Sequence, residues 1–288
     1  MLYLDTFHLP SEDQEWQFRM GVTRTCYQTM YPFFTLTPLQ LERLDFAPVT
    51  ILYGGNGSGK TTILNLIAEK LSLKRETPFN RSCFFDDYVK LCGATFENPV
   101  PAESRIIVSD DVFDYMLNVR SLNDGIDRER LELFEEHREA RSTVFTLRSL
   151  ADYDELKKRN SARRKTQSAF VREQLSPNIR EQSNGESASF YFKQRLKEDA
   201  LYLLDEPENS LSPEKQMALA KYIEDSVHYM DCQLVISTHS PFLLALRGAK
   251  IYDLDARPVD IKPWIALDNV RRYRAFFEDH RDEFERKE

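Results

Sequence analysis

The chain has 288 residues, of which 41% are hydrophobic and 30% are charged, a balance typical of a globular protein with a substantial core. Its formal net charge of −8 at pH 7 argues against a generally basic nucleic-acid-binding protein, because neutralising phosphates requires clustered lysines and arginines. No apolar run approaches the roughly 20 residues of a membrane-spanning helix, and the acidic N-terminal segment lacks a signal-peptide pattern. We therefore expect a cytoplasmic protein that makes no membrane contact.

The first strongly patterned segment joins a strand to a helix through a glycine-rich turn. Residues 49–53 read VTILY, a β-branched apolar run that predicts a buried strand. The chain has only nine glycines, and four of them, Gly54, Gly55, Gly57 and Gly59, lie within six consecutive positions. The segment TTILNLIAEKL that follows has the apolar periodicity of a helix.

The turn itself reads GGNGSGKT, residues 54–61, and fits the GxxxxGK(S/T) pattern of a phosphate-binding loop. Glycines let successive backbone N–H groups converge on phosphate oxygens, and the start of the next helix adds its positive dipole end. We expect Lys60 to reach the β- and γ-phosphates of ATP and the Thr61 hydroxyl to bind Mg²⁺. The predicted nucleotide-binding residues here are Gly54, Gly55, Asn56, Gly57, Ser58, Gly59, Lys60, Thr61 and Thr62.

A helical insertion is predicted after a further strand at residues 105–109. From about residue 112 to residue 182 the sequence is rich in Glu, Arg, Lys, Leu and Ser and nearly free of Gly, which predicts helices broken near Gly125 and Pro177. The expected domains are residues 1–111 as the first part of a nucleotide-binding core, 112–182 as an inserted helical subdomain, and 183–288 as the second part of the core.

Within this insertion, eight basic residues lie between Lys157 and Arg180 against a single acid, Glu173. Such a run either contacts DNA or RNA or forms a solvated helix face. The sequence leaves both alternatives open.

Two acids end the next buried strand. Residues 200–206 read ALYLLDE, which places Asp205 to hold Mg²⁺ and Glu206 to polarise an attacking water. Alone, the pair equally fits an ordinary solvated strand end. Upstream, SNGE at residues 183–186 opens a helical segment and by itself indicates a loop and a helix N-cap.

The last strands are predicted at residues 233–238, QLVIST, and at 251–255, IYDLD. His239 follows the first of them. A lone histidine at a strand end is more often a hydrogen-bonded structural residue than a functional one. Short apolar strands that alternate with helices predict an α/β fold with a mainly parallel sheet and helices on both faces.

The order and spacing of these motifs resemble the ABC ATPase family: phosphate loop, signature motif, Asp-Glu strand and switch histidine. The resemblance covers roughly residues 45–72 and 180–255 and implies a P-loop NTPase fold. It implies ATP sandwiched in an ATP-dependent homodimer, Glu206 as general base, His239 as sensor of the γ-phosphate, and residues 209–212 crossing the dimer interface. The residues that would contact the γ-phosphate of ATP held by the other subunit are Ser183, Asn184, Gly185 and Glu186.

The chain also departs from the family pattern. Asn184 and Glu186 stand where many members have Gly and Gln, and no Gln ends the strand before the helical lobe. Asp110 or Asp111 occupies that place, as a candidate metal or water contact.

The runs DEPENSLSP and STHSPFLL resemble the non-transport branch of the family. That branch includes the heads of SMC and repair proteins, overcoming-lysogenisation-defect ATPases, and small ATPases of bacterial defence modules such as Septu and retrons. The resemblance implies a conformational switch in DNA repair or antiviral defence. Two alternatives stay open: a nucleotide-dependent scaffold or sensor that regulates a protein effector with little turnover, and a detached transporter subunit.

Overall fold

A computed structural model of the chain describes residues 1–23, 27, 29–142, 166–174, 184–209 and 211–285. The chain divides into two compact units, one formed by Met1–Val112 with Asn184–Glu288 and the other by Phe113–Ser183. Within the described residues, no helix is both long enough and apolar enough to cross a membrane.

Nine strands occur in the described residues. In chain order they are β1 (Leu4–His8), β2 (Arg43–Asp45), β3 (Val49–Tyr53), β4 (Gly93–Phe96), β5 (Arg105–Val108), β6 (Leu201–Asp205), β7 (Gln233–Ser237), β8 (Lys250–Asp253) and β9 (Asp260–Ile261).

The same residues include ten α-helices. In chain order they are α1 (Glu12–Gly21), α2 (Lys60–Lys70), α3 (Phe85–Leu91), α4 (Ser109–Ser142), α5 (Gln167–Gln174), α6 (Asn184–Arg195), α7 (Pro213–Tyr229), α8 (Pro241–Leu244), α9 (Asp268–Asp279) and α10 (Arg281–Glu285).

The main sheet of the first unit has the strand order β5-β6-β7-β3-β8-β9. All neighbouring strands in it are parallel except β8 and β9. Every residue of β3, β6 and β7 is buried, as expected of apolar runs covered on both faces. The predicted α/β fold with a mainly parallel sheet is confirmed, and its central strands end at one common edge of the sheet.

Helix α2 begins at the edge of the sheet where the central strands end and is largely buried in the core. Its side chains Ile63, Leu64, Leu66 and Ile67 are fully buried, and each buried aliphatic side chain stabilises the fold by about 1.5–3 kcal/mol. The core therefore fixes the helix that follows the glycine-rich turn.

A second, antiparallel sheet, β2-β1-β4, has no counterpart in the sequence analysis. Beside it, α1 contains a carboxylate that is almost fully buried, Glu15. Its oxygens accept hydrogen bonds from the Phe34 backbone N–H, the Thr37 hydroxyl at 3.1 Å and the Tyr88 hydroxyl at 3.1 Å. Glu15 thereby ties the segment at residues 34–37 and helix α3 to α1.

The second unit contains most of α4, which runs unbroken past Gly125. The break predicted near Gly125 is therefore wrong. One glycine costs a helix only about 1 kcal/mol relative to alanine, too little to end a helix of 34 residues. Pro177 and all of the run at 157–180 except residues 166–174 lie outside the described residues.

Replacing Glu15 by alanine should lower the free energy of unfolding by about 1–3 kcal/mol, because one buried and two partly buried donors lose their acceptor. Chemical denaturation measures the change. Asp13→Ala, on the exposed side of the same helix, is the matched control and should change stability far less; equal effects would contradict the anchoring role of Glu15.

Burial raises the pKa of Glu15 above its ordinary value of 4.5, against the opposing effect of its hydrogen bonds. The native state then holds a proton that the unfolded state has released, so stability falls as pH rises from 4.5 through the native pKa. The neutral Glu15→Gln variant lacks this dependence. A stability difference between wild type and Glu15→Gln that stays flat with pH would contradict the prediction.

Candidate functional site

The glycine-rich turn leaves the first N–H groups of α2 open to a ligand. Gly57 and Gly59 have φ values of +78° and +98°, a region that glycine enters without strain. Gly59 is the N-cap of α2 and provides no side-chain hydrogen bond to the helix start. A helix N-terminus whose N–H groups lack a capping side chain is suited to bind an anion.

The Lys60 side chain is folded over this turn and is only 4% exposed. Its Nζ donates to the carbonyl oxygens of Gly54 at 2.7 Å and Gly55 at 3.0 Å. It also lies 3.1 Å from His239 Nε2 and 3.8 Å from Glu206 Oε1. Burial lowers the pKa of Lys60, and the charge of Glu206 opposes that effect.

Asp205 ends β6 beside the hydroxyl of Thr61. Its carboxylate accepts hydrogen bonds from the hydroxyls of Ser237 and Thr61. Burial raises the pKa of Asp205, and these two hydrogen bonds oppose the rise. A hydroxyl and a carboxylate side by side are oxygen donors of the kind Mg²⁺ prefers when phosphate oxygens and waters complete its shell.

No cluster of three or more His, Cys, Asp or Glu side chains suited to a metal ion occurs in the described part of the chain. Mg²⁺ is commonly bound through one or two carboxylates plus substrate phosphates rather than by an all-protein cage. The Thr61 and Asp205 pair therefore fits a magnesium ion that arrives with a nucleotide.

Glu206 faces Lys60 and His239 across this edge of the sheet. Its φ of +48° is in the left-handed region, which is uncommon for a residue other than glycine, and its N–H donates to Ser237 O at 3.0 Å. Its Oε1 lies 3.2 Å from His239 Nε2, and its Oε2 accepts from Asn209 Nδ2 at 3.1 Å. The predicted catalytic residues thus converge within hydrogen-bonding or ion-pair distance.

Glu208, which the sequence analysis did not identify, holds the loop that carries His239. Its Oε1 accepts from the Thr238 hydroxyl at 2.6 Å, from His239 N at 2.7 Å and from Ser240 N at 3.1 Å. Its Oε2 is buried without a hydrogen-bond partner among the described residues. The only sequence signal is an acid inside an otherwise turn-like stretch.

Asn269, at the start of α9, joins the same loop to the strand before the glycine-rich turn. Its Nδ2 donates to His239 O at 3.0 Å, and its backbone N–H donates to the Tyr53 hydroxyl at 3.2 Å. Tyr53 is the last residue of β3. No local motif marks Asn269, because both partners are distant in sequence.

A cavity of about 390 Å³ adjoins Thr61 and Asp205 and is also lined by Asp110. Asp111 instead accepts a hydrogen bond from Val108 N at 2.8 Å and is buried at the start of α4. Asp110 is therefore the acid of this pair that faces the cavity beside the candidate magnesium ligands.

Arg75 lines the same cavity and was also missed by the sequence analysis. Its guanidinium lies over the Phe79 ring at 4.2 Å and donates to Asn65 Oδ1. Its Nε and Nη1 are buried without hydrogen-bond partners among the described residues. Arg75 is therefore a cation that lines the cavity, and two of its nitrogen donors have no hydrogen-bond partner among the described residues.

Other predicted residues have different positions. Thr62 accepts a hydrogen bond from the Tyr31 hydroxyl at 3.0 Å, while Asn56 and Gly57 are exposed at the tip of the turn. Gly55 N–H donates to both Asp255 carboxylate oxygens, at 2.9 and 2.8 Å. These bonds hold the beginning of the turn against the segment that follows β8.

Ser183 lies outside the described residues. The backbone of Asn184, Gly185 and Glu186 forms the first turn of α6. Their predicted contact with nucleotide on a second subunit stays a prediction.

Comparison with known protein families matches residues 183–244 to the family described as an AAA ATPase domain. This match extends from the predicted signature turn through Asp205 and His239 to the end of α8. Comparison with curated proteins gives no match.

Three solved structures share the general arrangement at low identity. One is a metal-chelate-type ABC transporter in an inward-facing conformation, at 17% identity, 80% coverage of both chains and a TM-score of 0.38. Another is the ATP-binding cassette MJ0796, a dimer bound to ADP and phosphate, at 14% identity, with 88% of this chain and 94% of that chain covered and a TM-score of 0.37.

The third is the Smc head domain of Pyrococcus furiosus bound to the C-terminal domain of ScpA. It is 13% identical, with 98% of this chain and 100% of that chain covered and a TM-score of 0.44. The turn and its lysine have the arrangement of a phosphate-binding loop, and residues 183–244, which include the Asp205 strand, are similar to an AAA ATPase domain.

Replacing Glu208 by alanine should lower kcat for ATP hydrolysis by about 10- to 100-fold, because misplacement of a reacting group by about 1 Å costs that much. The dissociation constant for ATP should change by less than about threefold, since the hydrogen bonds that the Glu208 carboxylate accepts come from the His239 loop. Steady-state kinetics and nucleotide titration measure the two effects.

Glu208→Gln keeps an acceptor for the three donors and should lose much less activity. Glu214→Ala, at an exposed position on α7, is the neutral control. If Glu208→Ala weakens ATP binding as strongly as it weakens turnover, the side chain does not act through His239.

Proposed function

We propose that the chain binds Mg²⁺–ATP at the glycine-rich turn and hydrolyses it to ADP and phosphate, in a site completed by the signature turn, residues 183–186, of a second copy. The observation that carries the proposal is the convergence of Lys60, Glu206 and His239 at the start of α2. A cation, a carboxylate and an imidazole at a helix N-terminus together suit transfer of a phosphoryl group to water.

The turn and Lys60 supply binding and orientation. The backbone N–H groups of the turn would receive the phosphate oxygens, and Lys60 would exchange its bonds to Gly54 O and Gly55 O for phosphate oxygens. Thr61 and Asp205 would hold Mg²⁺, which when bound neutralises charge that develops on the phosphates.

Glu206 supplies the base. Its Oε1 would accept a proton from the attacking water while the water oxygen bonds to the γ-phosphorus and the bond to the β-phosphate oxygen breaks. Lys60 must leave Glu206 to reach the phosphates, so nucleotide binding would free the carboxylate for this step. His239 Nε2 lies next to Glu206 and would donate a hydrogen bond to the γ-phosphate.

A second candidate function is a nucleotide-dependent sensor that regulates a protein effector with little turnover. It is favoured by the engagement of both Glu206 oxygens, one facing His239 and Lys60 and the other bonded to Asn209. A multiple-turnover assay separates the two functions: rapid, partner-independent hydrolysis that is lost in Lys60→Ala excludes the low-turnover sensor.

Glu206→Gln should bind ATP but hydrolyse it at least about 100-fold more slowly, since the amide accepts no proton from water. Because ATP then persists in the site, the variant should dimerise with ATP and Mg²⁺, as light scattering would show. Lys60→Ala should lose nucleotide binding and show no ATP-dependent increase in dimer under the same conditions, while the exposed Lys90→Ala should match the wild type. A folded Glu206→Gln protein that binds ATP as a monomer would contradict the sandwich.

Mixing two inactive variants tests whether each site is shared between subunits. Lys60→Ala disables the turn, and Gly185→Asp disables the signature, so each variant alone should be inactive. A mixed dimer retains one intact site, and random exchange should restore about a quarter of the wild-type activity. A mixture no more active than its components, despite proven subunit exchange, would contradict a composite site.

A further inference from the structure

Helix α9 leaves the body of the first unit after its first turn. Val270 is its buried residue, and every residue from 271 to 279 is exposed, as are those of α10. Isolated helices shorter than about 12–15 residues are marginal in water. A helix of 12 residues that packs only through its first turn therefore needs support from elsewhere.

One face of this exposed segment is aromatic. Tyr273, Phe276, Phe277 and Phe284 are 49%, 55%, 54% and 71% exposed. The spacings of three and four residues place Tyr273, Phe276 and Phe277 on one side of α9, and Phe284 of α10 lies beside Phe277. The ring of Phe277 lies 5.6 Å from that of Phe276 and 6.1 Å from that of Phe284. Contiguous exposed aromatic side chains are typical of protein interaction sites.

The charges along the same segment are segregated. Its first half, residues 268–274, is net positive, and its second half, residues 278–285, is net negative. The basic residues of the first half are Arg271, Arg272 and Arg274, and the acidic residues of the second half are Glu278, Asp279, Asp282, Glu283 and Glu285. Two such helices side by side in opposite directions would set the basic half of each against the acidic half of the other.

We propose that the aromatic face of Tyr273, Phe276, Phe277 and Phe284 is a twofold interface that pairs the α9 segments of two copies of this chain in antiparallel orientation. A twofold interface must be self-complementary, and the reversed charge halves meet that requirement. In a parallel pair, like charges would face each other. The interface needs no nucleotide and is therefore independent of the ATP sandwich.

The size of the face sets the expected strength. An aromatic side chain buries about 150–250 Å² when fully covered, so eight half-exposed rings from two copies would bury on the order of 800 Å². That lies below the roughly 1,200–2,000 Å² of a stable interface. We therefore expect association in the micromolar range rather than an obligate dimer.

Sedimentation velocity of the nucleotide-free full chain, from about 1 to 100 μM, tests the proposal. The wild type and Lys60→Ala should both dimerise with rising concentration, and Phe277→Asp should weaken association at least tenfold. Tyr229→Asp replaces a more exposed aromatic residue on α7, 75% exposed against 54% for Phe277, and should leave association unchanged. Circular dichroism verifies that Phe277→Asp is folded.

A charge-exchange experiment tests the orientation. Arg271→Glu with Arg272→Glu makes both halves acidic, and Asp282→Lys with Glu283→Lys brings the second half to a net charge of zero. Each double variant should self-associate less than the wild type, because the attraction between oppositely charged halves is lost, and an equimolar mixture of the two should recover association. A parallel pair would instead associate more strongly in the Asp282→Lys with Glu283→Lys variant, because its facing acidic halves become neutral. Such a gain, or no recovery in the mixture, would overturn antiparallel pairing.

Failure of this proposal is distinguishable from failure of the proposed function. A wild type that stays monomeric throughout the nucleotide-free series overturns the α9 interface, as does a Phe277→Asp variant that associates normally. Either result leaves ATP-driven dimerisation of Glu206→Gln unaffected. Conversely, loss of the ATP-driven dimer with persistence of the nucleotide-free one would overturn only the sandwich. If the aromatic face binds a different protein and the chain itself is monomeric, the self-pairing proposal is wrong.

Discussion

The placement of one buried ammonium group organises the candidate site. Lys60 is removed from water at the start of α2, and a buried charge is tolerated only when paired and hydrogen-bonded. Two carbonyl oxygens of the glycine-rich turn accept hydrogen bonds from it, and Glu206 supplies the opposing charge. These groups come together because β3, β6 and β7 are adjacent parallel strands whose carboxyl ends meet at one edge.

A second layer of contacts fixes the catalytic candidates without belonging to any recognisable motif. The Glu208 carboxylate accepts hydrogen bonds from two backbone N–H groups of the loop around His239. Asn269 donates a hydrogen bond to the backbone carbonyl of the same histidine. The imidazole is thereby positioned from both sides of its own backbone. Such supporting contacts hold the reacting side chains in a productive geometry, and activity depends on them as well as on the reacting groups.

The strands at 49–53, 201–205 and 233–237 and the turn before Lys60 were predictable, because buried apolar runs and clustered glycines are local patterns. Glu15, Glu208 and Asn269 were not, because their partners are distant in sequence; Asn269 and Tyr53 are 216 positions apart. The helix break predicted at Gly125 was wrong for another reason. The weak preference of glycine against helix did not end the long helix around it. Local patterns thus predicted the residues of the candidate site, and long-range hydrogen bonds determined the contacts that hold them.

The attachment of α9 has a mechanical consequence. Asn269 attaches the start of this helix to the His239 loop and to the end of β3 through hydrogen bonds. Residues 271–279 of the helix are exposed. Twelve residues span about 18 Å at 1.5 Å per residue, so a tilt of about 10° at the root displaces the tip by about 3 Å. A small shift of the His239 loop would thereby be enlarged at the far end of the helix.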